Sequence, residues 1–154
     1  MANNSVVLNS YSTSSVIFGG SYSWDNGGLV GTGSSSTINN SYSTGSVTGD
    51  EYVGGLIGES DSTINNSFSL SKVNGNKFVN GLIGNSGWNM INNLFWDINF
   101  SGKSNCHNDG NTGCNSTNNN ISAYYGDSGL TKLGNDGNWI ARENNFPILS
   151  WQVD

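Results

Sequence analysis

The chain has 154 residues, a formal net charge of −6, and only 10% charged side chains, with 22 Gly and a single Pro. Asn, Ser, Thr and Gly together make up 83 residues, more than half the sequence, which disfavours helix, because these residues either compete with the helical backbone or lose glycine entropy in it. Seventeen aromatic residues and a hydrophobic fraction of 34% are more apolar anchors than a disordered tract carries, so a folded all-β chain is expected. Five basic residues, Lys72, Lys77, Lys103, Lys132 and Arg142, do not make the cationic footprint that a phosphate backbone requires, and nucleic acid is excluded as an expected partner. No apolar run reaches the length of a membrane span, and the first ten residues lack the features of a signal peptide.

In chain order, the dominant signal is internal repetition. The segment 39–64, NNSYSTGSVTGDEYVGGLIGESDSTI, recurs at 65–91 as NNSFSLSKVNGNKFVNGLIGNSGWNMI. An earlier copy, NSYSTSSV at 9–16 followed by GGLVG at 27–31, carries an insertion, and NNLFWD at 92–97 opens a fourth copy that does not continue. Alignment gives four columns of apolar residues: Val7, Ile38, Ile64 and Ile91; Tyr11, Tyr42, Phe68 and Phe95; Val16, Val47 and Val73; and Leu29, Leu56 and Leu82. A glycine column, Gly31, Gly58 and Gly84, accompanies them. One repeat cannot bury such a face alone, whereas stacking coils about 4.8 Å apart turns each column into an internal ladder. The expected fold is therefore a β-solenoid, a parallel β-helix of three to four coils over 1–97, with three short strands per coil.

The alternation Ile38, Asn40, Tyr42 places Asn40, Asn66 and Asn93 on the buried face, as an internal amide ladder or else as a solvated turn. The opposite parity, Asn39, Ser41 and Ser43 with Asn65, Ser67 and Ser69, then forms a flat, wettable outer face. Such a face would also admit ice binding, although its residues are not a threonine lattice. Residues 98–120 hold almost nothing apolar and read as a long polar loop, and the aromatic-rich remainder reads as a cap over the last coil, so 98–154 is taken as one capping unit. No comparable cap is visible ahead of Val7, which suggests a piece of a longer array or a chain that stacks end to end.

Three patterns bear on chemistry. Cys106 and Cys114, eight residues apart among Asn and Gly, suit a disulfide that closes the loop, as expected in an oxidising compartment; with His107 and Asp109 they also suit zinc, at a spacing unlike known knuckles. Because His107 has no serine nucleophile in a recognisable elbow, and the acids fall at corners, no catalytic residue and no resident metal or cofactor is expected. Calcium would find its ligands at turns such as Asp50 and Glu51 or Asn108 to Gly110, but no twelve-residue hand is present. The insertion FGGSYSWDN at 18–26 groups Phe18, Tyr22 and Trp24 with Asp25 and Asn26, the mixture of ring faces, amides and carboxylates that sugar recognition uses. The competing role for these aromatics is to cover the first coil, and Trp88 and Trp96 carry the same ambiguity, with packing favoured.

The pentapeptides GGLVG and GGLIG, each leading to an Asn-Ser-aromatic-Ser strand, and NGLIG, leading to NLFW at 93–96, resemble the GLUG repeat of large bacterial and archaeal surface proteins, as do the closing phrases FWDINFSG at 95–102 and FPILSWQ at 146–152. Asn80 departs from the pattern, as do the insertion and the cysteine loop. The resemblance implies an extracellular, non-catalytic β-helix of an adhesin, secreted or on the cell surface. Its partner would be a surface glycan or protein, or neighbouring copies of itself in a fibre.

Overall fold

In the computed structural model, which describes residues 1–20, 22–87, 90–117 and 120–153, the repeats stack as a β-solenoid of three coils and part of a fourth. Every cross-coil pairing is parallel, as it must be when a chain winds in one direction. The register is the one the repeats predict. Val7 lies beside Ile38, Ile38 beside Ile64, and Ile64 beside Ile91; Val16, Val47 and Val73 stack likewise, as do Leu29, Leu56 and Leu82 through backbone hydrogen bonds. The longest strands, Val30–Asn39 and Ile57–Ser69, carry the middle of the molecule. Ile38, Leu56, Ile57, Ile64, Leu82 and Leu94 form its sealed interior, and a valine cluster of Val47, Val53 and Val73 fills a second corner.

The parity expected through Asn40 is reversed. Asn9, Asn40, Asn66 and Asn93 all adopt a left-handed backbone, with φ between 49° and 53°. Asparagine tolerates that conformation better than most residues. The turn swaps the two faces of the chain, so Ser41, Ser43, Ser67 and Ser69 go inside and the aromatic column goes outside. The serines are buried and satisfied. The Ser41 and Ser67 hydroxyls donate to the carbonyls of Asn39 and Asn65 two residues back, and the Ser41 amide donates to Ser67 Oγ in the next coil. Ser43 Oγ reaches across the coil to the Gly55 carbonyl at 2.6 Å. The flat outer serine face does not exist, which removes the surface on which ice binding rested. Of the expected asparagine ladder one rung forms, on the corner: Asn93 Nδ2 donates to Asn66 Oδ1 at 2.8 Å with Asn93 exposed, whereas Asn66 Nδ2 turns to Asp136 and the Oδ1 of the buried Asn40 accepts no bond among the described residues.

Tyr11, Tyr42, Phe68 and Phe95 stack outside the coil with centroid spacings of 5.2, 4.8 and 4.6 Å, the last two pairs within 5° of parallel. Such a column would be an apolar stripe in water. The C-terminal segment covers it. Tyr124, Leu133, Trp139, Phe146 and Leu149 pack on the rings, and Gln152 exchanges hydrogen bonds with the Tyr42 hydroxyl. Trp151 Nε1 donates to the Asn9 carbonyl at 2.9 Å, far from the last coil. The cap therefore runs along the flank of the solenoid rather than over its end, contrary to expectation, because the exposed apolar surface is on the flank.

The expected polar loop is also different. Residues 98–116 lay down a partial fourth coil: the amides of Leu82 and Ile83 donate to the Cys106 carbonyl, and Cys114–Ser116 pairs in parallel with Leu94, Phe95 and Trp96. Trp96, in the column occupied by Ser12, Ser43 and Ser69, fills the interior at this level and packs on Gly81, where any Cβ would collide with the indole. Its Nε1 donates to the Lys103 carbonyl.

Phe68 touches rings on both sides and two cap aromatics. Phe68→Ala is expected to lower the unfolding free energy by about 3–5 kcal/mol in urea titrations. Burial under the cap pushes the Tyr42 and Tyr124 phenols above their ordinary value of 10.0. A phenol that ionises later in the folded chain than in the unfolded one supports the fold below that value, and its contribution is lost as pH rises through the higher folded value. Thermal melts should accordingly hold up to about pH 10 and decline above it, together with delayed phenolate absorbance.

Candidate functional site

The insertion is pinned to the second coil at Asp50. The Asp50 amide donates to Ser23 Oγ at 2.9 Å, and the Asp50 carboxylate accepts from the Tyr22 amide and from Asn76 Nδ2 at 2.7 Å, bonds that hold it below the ordinary carboxylate range. A shallow cleft of about 320 Å³ opens between Phe18, the glycines 19, 20 and 49, Asp50 and Asn76. With this backbone fixed, the three aromatics of the insertion point away from the coil: Phe18, Tyr22 and Trp24 are 58%, 83% and 60% exposed. They do not cover the first coil.

Trp24 is joined by two rings the sequence reading passed over. Tyr52 lies 6.4 Å from it, edge to face, and Phe78 lies 5.3 Å beyond Tyr52, so an aromatic ridge crosses three successive coils. Phe78 is 49% exposed and Tyr52 partly so. Asp25, Tyr52 and Phe78 occupy equivalent positions, each the residue before the Asn26, Val53 and Val79 register, and all three are left-handed, with φ of 58°, 54° and 50°. A bulky residue rarely keeps that conformation, and such outliers concentrate at functional sites. The signal was available: EYV at 51–53 and KFV at 77–79 place an aromatic ahead of the same valine.

Acids frame the ridge. Burial raises the Tyr52 phenol above its ordinary value, and the carboxylates of Glu51, Glu59 and Asp25 reinforce the shift. Lys77 pairs with Glu51 at 3.4 Å. Of the polar residues expected at this site, Asp25 is half-buried and accepts from Thr32 Oγ1 at 2.9 Å, which leaves it beside the ridge. Asn26 is not available: it is buried against Gly49 and donates Nδ2 to the Ser23 carbonyl, so it holds the insertion's own turn. Trp96 is interior packing, and Trp88 lies outside the described residues.

Cys106 and Cys114 form the expected disulfide, with Cα atoms 6.4 Å apart. It is no surface staple, because Cys106 belongs to the hydrophobic interior and Cys114 packs against it. His107 is buried as well, not carried on a mobile loop, and a serine does stand beside it: Ser86 Oγ is 3.2 Å from Nδ1. Nδ1, however, also accepts the Asp109 amide, while Ser86 Oγ lies 2.6 Å from Asn108 Oδ1 and 3.0 Å from Asp109 Oδ2. The serine proton thus goes to a side-chain oxygen rather than to the imidazole, which is not the geometry of a base-activated nucleophile.

Among the described residues, no helix is long and apolar enough to cross a membrane. No family model, curated protein or solved structure matches the chain.

Replacing both cysteines by serine removes a cross-link over a short loop and should lower stability by about 2–3 kcal/mol. Urea unfolding of the variant, compared with the oxidised parent, measures it.

Proposed function

We propose that this chain is a non-catalytic, extracellular β-solenoid module of a GLUG-type surface adhesin, and that it binds a glycan along the ridge of Trp24, Tyr52 and Phe78. The observation that carries the reading is the ridge itself, three ring-bearing residues on one corner of consecutive coils, with Trp24 and Phe78 exposed and Tyr52 partly so, while the other aromatic column is covered from Tyr42 to Phe95. Exposed rings stack on the CH faces of sugars, and neighbouring carboxylates and amides accept and donate to hydroxyls. Tyr22 and Phe18 extend the apolar area toward the Asp50 cleft. The disulfide suits an oxidising compartment.

A second reading, self-association, is favoured by the first coil. Among the described residues the strands Val6–Leu8 and Ser15–Ile17 pair on one side only, and Val6, Leu8 and Ile17 are largely exposed beside that edge. Such an edge accepts another strand. Sedimentation over a concentration series separates the two readings, since association through the edge grows with concentration and is indifferent to the ridge.

The test of the first reading is binding of the folded chain to immobilised glycans and matrix proteins, with Trp24→Ala, Tyr52→Ala and Phe78→Ala alongside. Each substitution should weaken a specific glycan signal by about two- to tenfold without altering the melting curve. Binding that ignores all three, or no glycan retained by the folded chain, overturns the proposal.

A further inference from the structure

One interior corner of the solenoid is lined, coil after coil, by an adjacent apolar pair: Leu29 with Val30, Leu56 with Ile57, and Leu82 with Ile83. In the partial fourth coil the same pair of positions is held by Cys106 and His107, placed there by the bonds from Leu82 and Ile83 to the Cys106 carbonyl. Cys114 lies beneath Leu94 in a neighbouring column. At this one level, both positions of the apolar pair and the position beneath Leu94 carry side chains that ligate soft metal ions.

On an extended strand, adjacent Cys and His point to opposite faces and do not share an ion. Here the chain turns the corner between them, so both point inward and both are buried, as Leu82 and Ile83 are one level above. Ligand atoms of Cys106, His107 and Cys114 all lie within 4.8 Å of one another. The imidazole is already oriented: Nε2 donates to the Thr112 carbonyl at 3.2 Å, which leaves Nδ1 as the nitrogen with the lone pair. A backbone carbonyl on the far nitrogen is the usual outer support of a metal-bound histidine.

We propose that Cys106, His107 and Cys114 form a zinc site whenever their disulfide is reduced, so that the fourth coil is closed by a covalent bond in one redox state and by a metal ion in the other. Reduction by an external dithiol breaks the S–S bond, transfers two electrons and two protons to the cysteines, and leaves the reductant as a cyclic disulfide. Zn²⁺ then takes both thiolates, releasing two protons to solvent, together with the Nδ1 lone pair in place of the Asp109 amide. Three protein donors leave a fourth position for water or for the Asp109 carboxylate, which stands on the same loop.

The test uses the full chain, oxidised and fully reduced, titrated with Zn²⁺ and with Co²⁺ as a coloured substitute. The comparison variant is His107→Ile, which restores the apolar pair of the upper coils and so keeps the interior filled. The reduced parent should bind one ion, show a thiolate-to-cobalt absorption band, and melt higher with Zn²⁺, whereas the oxidised chain should do none of these. His107→Ile should weaken zinc binding by more than about tenfold while melting normally when oxidised. If the reduced parent loses its fold, recovery on adding Zn²⁺ supports the site. Failure to bind or to recover overturns it, as does a His107→Ile variant that binds zinc as tightly as the parent.

Discussion

One left-handed asparagine in each coil governs the cross-section of this molecule. At Asn9, Asn40, Asn66 and Asn93 the backbone turns through φ near 50°, and the residues beyond it exchange faces. Serines that an unbroken strand would present to water are carried inside, where their hydroxyls pair with carbonyls, amides and one another. The aromatic residues between them are carried out. Because that outward column cannot remain bare, the last third of the chain has a surface to fold against, and the flank-running cap follows from the corner rather than from any need to close an end.

The interior solves a related problem in two ways. Where the columns are Leu, Ile and Val, coils are joined by ordinary apolar contact. Where small serines leave little to pack, hydrogen bonds repeat from coil to coil, Ser10 to Ser41 and Ser41 to Ser67. Buried hydroxyls tolerate this only when every one is partnered, and the regular register makes the same partnership available at each level. At the bottom the pattern is broken deliberately in volume: Trp96 replaces serine, and the half-cystines and His107 replace aliphatic side chains.

How much of this was readable in advance depended on whether a feature repeated. The solenoid, its register and its stacked columns were legible because identical residues recur at 26 and 27 residues, and each column marks a neighbour. Facing was not legible through Asn40, since period-2 reasoning assumes an unbroken strand and a one-residue left-handed turn leaves the alternation of letters intact. The fourth coil was hidden for the opposite reason, because its interior positions changed chemistry and Cys106 no longer resembles Leu82. At the ridge, Trp24 was visible within the insertion, but Tyr52 and Phe78 belong to other repeats, and only stacking brings the three rings together. Asn26 looked like a ligand contact because a polar side chain beside aromatics gives no hint that it bonds its own turn.

The flank cap also acts as a ruler. It is anchored at Asn9 through Trp151, at Tyr42 through Gln152, at Asn66 through Asp136 and at Ser116 through Tyr124, so its contacts span the stack from the first coil to the fourth. One extra coil would move the top of the stack about 4.8 Å away from a segment whose far end is tied to the bottom. The number of coils between Asn9 and Ser116 is therefore not free to drift by duplication of a single unit. An array lengthened between these two anchors must either give up one of them or acquire a longer cap at the same time.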